Sequence, residues 1–433
     1  MADEYQPLVG HDGQESVSVI SRRNKLVVMV LMSTVYFLIS SVYALLSPFF
    51  PQVAKSRGVS HTEIGLIFAV YPIFTLLTSP ICGILLPRIG VVFALWAGIA
   101  IEAGCNILFG FLPSVLDRGL FVAFCLIIRS IQGVASACSL IAALAIVSSV
   151  FADNVATATS TLETFSALGL MAGPPIGGLL YQAGGFKLPF IVLGSVSLVI
   201  GCISIFFIPR IAYATSSPPW RLMKQLIVHP RVMIISFGVA LQMLVIGFLD
   251  PTLSLHLKPL NLTTSQIGFI FLALPAGYGL FSPVFGYLSD RFGYRPFIIF
   301  GSIGMGISLL FVGPAPFIRI KLSIGQSVPS LLALGIAGAA AITTSFADIL
   351  EVAMKDLTND NPDESSDFVI HSVVSGLFTT ALSLGQVVGP IVGGIFTSLS
   401  QTSFDRTAMG IGFAIMTQGL IVLILTVSEK FSR

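Results

Sequence analysis

Six ionisable side chains lie inside long apolar runs of this chain: Glu102, Arg129, Glu163, Asp250, Asp348 and Glu351. A charge in such a run is costly and is kept where it faces a cavity, a partner or a passing ion. The chemistry open to these carboxylates is to hold a proton or an organic cation, one in place of the other. Asp250 stands directly before Pro251, whose ring removes a backbone donor and loosens the helix there. That makes Asp250 the first candidate for coupling or substrate binding; the alternative is an acid that stabilises a helix end. Asp348 and Glu351 are three positions apart and so share one helix face. They suit proton handling, with a gate or an interfacial salt bridge as the equal alternative. Arg129 and Glu163 are expected to form a buried pair on neighbouring spans, either switching or static. Tyr43, Tyr71 and Tyr278 can offer aromatic faces to a cation or simply pack, and His256 and His371 can sense pH or simply meet water at helix ends.

The elements that position these groups are membrane spans. The chain is 55% hydrophobic and only 10% charged, where a soluble globular chain carries about 25% charged residues. A spanning helix needs about 20 apolar residues, and such runs recur near 25–50, 62–86, 90–112, 117–149, 156–184, 187–208, 231–256, 264–288, 296–317, 327–351, 370–399 and 406–428. The fold expected is an all-α membrane protein of twelve transmembrane helices in two pseudo-symmetric six-helix halves. Residues 1–24 form a polar tail, 25–208 the first half, 209–230 a central loop and 231–433 the second half. The first run is too long for a cleavable signal and is expected to stay as a span. The five cysteines fall in apolar runs without metal-ligand spacing and read as packing residues. Within the tail, Glu4-Tyr-Gln-Pro-Leu8-Val9 has the form of an acidic dileucine sorting signal, or is plain tail.

The halves are related by a repeat. Gly169, Gly173, Pro174, Gly177 and Gly178 return as Gly385, Gly389, Pro390, Gly393 and Gly394, 216 positions later and so half the 433-residue length, while Pro175 is replaced by Ile391. Small residues at four-residue spacing let backbones approach closely, and these helices are expected to carry the rocking contact between the halves. Lysine and arginine in the short loops favour the side of the termini, through Arg22, Arg23, Arg210, Arg221, Lys224, Arg291 and Arg433 among others. By the positive-inside rule both termini are cytosolic. The sequon Asn261-Leu-Thr263 then falls on the other side, too near the membrane for modification to be expected. Gly286-Tyr-Leu-Ser-Asp290-Arg291-Phe-Gly293-Tyr-Arg295 follows the eighth span, with Asp290 and the arginines expected to form a charge network at the cytosolic mouth. In the matching loop of the first half, Pro87 stands where Asp290 stands.

Arg129-Ser-Ile-Gln-Gly133, the Asp290 loop and the repeated Gly-Pro helix together resemble the major facilitator superfamily across the whole chain. Leu162-Glu163 through Gly173-Pro-Pro-Ile-Gly-Gly to Tyr181-Gln182, with Gly247-Phe-Leu-Asp250-Pro251, is similar to the vesicular amine transporter family, most of all its polyamine branch. The resemblance implies a proton-coupled antiporter that moves organic cations, polyamines such as spermidine, from cytosol into an acidic vesicle by alternating access. It also implies that spans one, four, seven and ten line the cavity, which puts Glu102 on an outer support helix as a structural residue. Monoamine carriers have aspartates where this chain has Ile39 and Thr379, which argues against a monoamine or acetylcholine carrier. The alternatives are a drug or neutral-solute facilitator or antiporter of the same superfamily, and a non-transporting receptor or scaffold. No zinc signature, nucleophile elbow or phosphate loop is present, so no enzyme and no cofactor is expected. The partners expected are a small organic cation, protons and the lipid bilayer, with no nucleic acid. The chain is expected to be a monomer in a secretory, synaptic-vesicle or endolysosomal membrane.

Overall fold

The computed structural model describes residues 22–46, 49–208, 219–260, 270–315, 317–318, 320–356, 367–397 and 403–432. The Leu8-Val9 segment, Arg210, Asn261 and Arg433 lie outside them. Twelve long helices carry the chain: α1 Arg22–Ala44, α2 His61–Ile89, α3 Val91–Gly110, α4 Arg118–Val150, α5 Val155–Gly184, α6 Lys187–Phe207, α7 Pro230–His256, α8 Ala273–Phe292, α9 Arg295–Val312, α10 Ile324–Asp356, α11 Asp367–Thr397 and α12 Ser403–Ser432. Ten of them are long and apolar enough to cross a membrane, among the described residues. The other two, α5 and α8, run 30 and 20 residues but are diluted by glycine, serine, threonine and proline. Those small residues suit them to close packing against other helices.

In the first half α5 and α6 pack on α1, α4 lies against α2 and α3, and α3 also packs on α6. The second half repeats the plan, with α11 on α7, α10 against α8 and α9, and α9 on α12. The halves meet through α2 with α11 and α5 with α8, one pair being the symmetry image of the other. Gly90 and Gly293 make the matching turns between α2 and α3 and between α8 and α9. Their φ values of 89° and 87° lie in the left-handed region open to glycine.

The apolar core divides unevenly. At the face that carries the start of α1 and the end of α12, here the terminal face, one continuous cluster joins both halves, from Val28, Leu86 and Ile146 to Val232, Leu350 and Val369. Toward the opposite face there are two separate clusters. One holds Leu45, Phe50, Phe109 and Phe121 of the first half, the other Phe248, Leu309 and Phe404 of the second. The halves are sealed together at the terminal face and part toward the other. The expected polar central loop contains a helix, Pro219–Val228. It forms because Leu222, Met223 and Leu226 recur at helical spacing and bury in the terminal-face core.

Candidate functional site

Arg129 is fully buried on α4. Its guanidinium lies 4.6 Å from the ring centre of Tyr71 on α2 and 5.8 Å from that of Tyr43 on α1, and it donates to Gln132 at 3.4 Å. Its Nε and Nη2 have no hydrogen-bond partner. Tyr71 donates its phenol to Glu102 at 3.4 Å, and Glu102, from α3, is buried. The expected Arg129–Glu163 pair is not formed. Helices α4 and α5 are antiparallel, joined at their terminal-face ends. Arg129 is 21 residues from the end of α4, about 31 Å, and Glu163 is 8 residues into α5, about 12 Å. Side chains do not bridge that difference in depth. Glu163 instead accepts from Tyr278 of α8 at 3.3 Å, across the seam between the halves.

Asp250, near the far end of α7, is exposed. It has no hydrogen-bond or ion-pair partner among the described residues. Asp348 and Glu351 behave differently. Asp348 is fully buried and takes two hydrogen bonds from Arg231 at the start of α7, with Arg295 of α9 at 3.9 Å. Glu351 is bound by Lys355 one turn on. The two acids therefore share a helix face but not a partner. Arg295 also pairs with Glu429 of α12, so this is a charge cluster at the terminal face that ties α7, α9, α10 and α12 together.

The Asp290 loop forms a different network from the one expected. Asp290 accepts from the backbone amides of Ala156 at 3.2 Å and Thr157 at 2.9 Å, and from the Thr157 hydroxyl at 2.6 Å. A carboxylate from the second half thus caps the N-terminus of α5 in the first, where unpaired amides and the helix dipole favour an anion. The arginines go elsewhere, Arg291 over the ring of Tyr287 at 4.5 Å and Arg295 to the Asp348 cluster. Gly286 sits one turn before Asp290 and allows this approach, because a Cβ there would come within 2.2 Å of Ser160 Oγ.

The Gly-Pro stripes are also placed otherwise than expected. A Cβ on Gly169 or Gly173 would meet the carbonyls of Phe37 and Ser41 on α1, at 2.3 and 2.7 Å. On Gly385 or Gly389 it would meet those of Ala240 and Leu244 on α7, at 2.2 and 2.6 Å. These glycines bind α5 to α1 and α11 to α7, inside each half. Gly178 faces open space, and the surroundings of Gly394 lie outside the described residues. Pro174 and Pro175 are interior to α5 and Pro390 to α11, where the missing donors permit bending. The seam between the halves is made by other small residues. Gly83 of α2 packs on Gly376 of α11, and Gly279 and Gly286 of α8 on α5. Ser148 of α4 lies 2.9 Å from His371 of α11, so His371 is a buried seam residue. His256 stacks on Phe404, ring centres 3.9 Å apart. All five cysteines are free.

Sequence reasoning found each of these acids and placed Glu102 on a support helix; that it meets Tyr71, itself stacked under Arg129, is visible only once the helices are packed. The Gly83–Gly376 contact had a signal too, since Gly83 and Gly286 hold the same place before their loops.

The sequence profile of the Major Facilitator Superfamily matches residues 32–237 and 235–432. The chain is 36% identical to the human MFS-type transporter SLC18B1 over 388 residues, covering 88% of this chain and 80% of that one. It is 26% identical to the human synaptic vesicular amine transporter over 83% of this chain and 66% of that one. The crystal structure of the human organic anion transporter MFSD10 superposes with a TM-score of 0.70 at 15% identity, over 91% of this chain and 99% of that one, a likeness of fold alone. Twelve helices in two repeated halves, sealed at one face around buried carboxylates, together with these matches, identify a transporter: the chain belongs to the Major Facilitator Superfamily and, within it, to the vesicular amine transporter family.

Proposed function

We propose that the protein is a proton-coupled antiporter that moves organic polycations, polyamines of the spermidine type, from the cytosol into an acidic vesicle. The observation that carries this reading is the division of its intramembrane acids. Asp348 and Glu351 are neutralised by Arg231, Arg295 and Lys355, whereas Glu102, Glu163 and Asp250 have no basic side chain at salt-bridge distance among the described residues. Three such carboxylates against Arg129, the one buried arginine or lysine among the described residues, leave acids available both for protons and for a substrate with several ammonium groups. The relative named as a synaptic vesicular amine transporter supports an amine substrate and a vesicle membrane.

In this reading the terminal face is cytosolic, both termini are cytosolic, and the conformation is the one open to the lumen. Exchange proceeds by alternating access of a monomer, the halves rocking about a site near the midplane. Asp250 is the substrate-binding acid exposed to the cleft, and Glu163 is the acid on the seam.

The test is spermidine uptake into proteoliposomes with and without an imposed proton gradient. Wild type is expected to accumulate spermidine only with the gradient. Asp250→Asn removes one charged contact, about 1.5–3 kcal/mol, and uptake is expected to fall by at least tenfold. Uptake that ignores the gradient in both proteins would mean a facilitator; no uptake by folded protein would leave the receptor or scaffold reading.

A further inference from the structure

We propose that Glu102 carries an exchangeable proton, and that a proton on Glu102 and a bound organic cation exclude one another through the charge of Arg129. The inference rests on the antiport reading above and adds to it the residue that couples the two ions. Four side chains from four helices form one chain of contacts. Glu102 of α3 accepts from the Tyr71 phenol at 3.4 Å. The Arg129 guanidinium stacks on Tyr71 at 4.6 Å and on Tyr43 at 5.8 Å, the two rings lying 5.2 Å apart.

The arrangement leaves both of its buried ions incomplete. Arg129 is 0% exposed, yet two of its three nitrogens have no hydrogen-bond partner. Glu102 is 4% exposed, and a phenol is its one hydrogen-bonding partner. A structural pair of this kind would close into a salt bridge, because an unpaired buried charge is costly. Here Tyr71 touches both, its ring under Arg129 and its phenol on Glu102, and no salt bridge joins the two. Such a pair is stable in two ways: open, with a proton on Glu102, or closed, with Glu102 ionised against Arg129. In the closed form the arginine's charge is compensated within the first half. In the open form Arg129 is uncompensated, and its positive charge disfavours a bound organic cation. The proton that enters at Glu102 thereby displaces the substrate without touching it.

The other groups that face Glu102 do not supply this switch. On its own helix Cys105 is the titratable neighbour. The α1 and α6 residues beside it, among them Ile39 and Ser197, carry no charge. From α2 and α4 it meets Tyr71 and Arg129.

The experiment compares wild type, Glu102→Gln and Tyr71→Phe in proteoliposomes, in two assays. One is spermidine accumulation driven by a proton gradient; the other is spermidine exchange with no gradient, measured across pH. Glu102→Gln mimics a fixed proton, and its accumulation is expected to fall at least tenfold further than its exchange, with the pH dependence of exchange flattened. Tyr71→Phe keeps the ring under Arg129 and removes only the hydroxyl. It is expected to move the pH midpoint of exchange by about half a unit or more, and it carries the test if Glu102→Gln does not fold. A coupled wild type with both variants unchanged in pH profile would overturn the role of Glu102 and leave the antiport reading standing. An uncoupled wild type would overturn both.

Discussion

The acids of this protein divide by what surrounds them, and residue type alone does not say which way. Asp348 is fully buried but receives Arg231 and Arg295, so its charge is committed to holding four helices together. Removing the arginine should be damaging, because a buried carboxylate loses its main partner. Arg231→Met is expected to destabilise by on the order of 3 kcal/mol, read as a lower melting temperature in detergent. The double variant Arg231→Met, Asp348→Asn should recover part of the loss. Asp250, by contrast, is exposed and unpaired, and Asp250→Asn should leave the melting temperature unchanged while removing coupled uptake. Equal loss of stability in the two cases would mean that Asp250 is structural after all.

At the scale of the element, the duplicated Gly-Pro helix was legible in the sequence as a close-packing device, but its partner was not. The spacing of Gly169, Gly173 and Gly177 predicts a smooth helix face; it does not say whether that face meets α1 or the other half. The structure sets it on Phe37 and Ser41 of α1 and on Leu45 just beyond its end, and its repeat on Ala240, Leu244 and Phe248 of α7. Gly385→Val would drive a side chain into the Ala240 carbonyl and is expected to cost about 1–3 kcal/mol or more. Gly178→Ala, facing open space, should be neutral or gain about 0.5–1 kcal/mol from helix propensity. Melting temperatures of the two variants check the pair. Asp290 was likewise legible as a functional acid, but its ligand is a helix N-terminus 133 positions away, which no local pattern specifies. Asp290→Ala is expected to weaken the closed seam by about 1 kcal/mol. That is roughly a fivefold shift toward the state open at the terminal face, measurable as faster labelling of a thiol introduced on the seam.

For the whole molecule, one continuous core at the terminal face and two separate cores beyond it define a single accessible side. Closing that seam permanently should stop the cycle. Ser148→Cys with His371→Cys brings two thiols together where the native side chains lie 2.9 Å apart. A short bifunctional thiol reagent is expected to link them in protein lacking the native cysteines, abolish uptake, and release it on reduction. Failure to link would mean that the halves do not meet there.

The sequence by itself determined the number of spans, their division into two repeated halves, the absence of enzyme motifs, and which side chains are charged within the membrane. These are properties of consecutive residues: apolar length, helical spacing and the recurrence of glycine and proline. Only the tertiary structure decided what each charge faces. Asp348 meets Arg231 across 117 positions, Glu163 meets Tyr278 across 115, and Asp290 meets Thr157 across 133. Glu102, on the support helix α3, meets Tyr71 of α2 on the same ground. An isolated helix fixes the angle and depth of a side chain, but its electrostatic environment comes from the helices packed beside it, and in this fold those are distant in the chain.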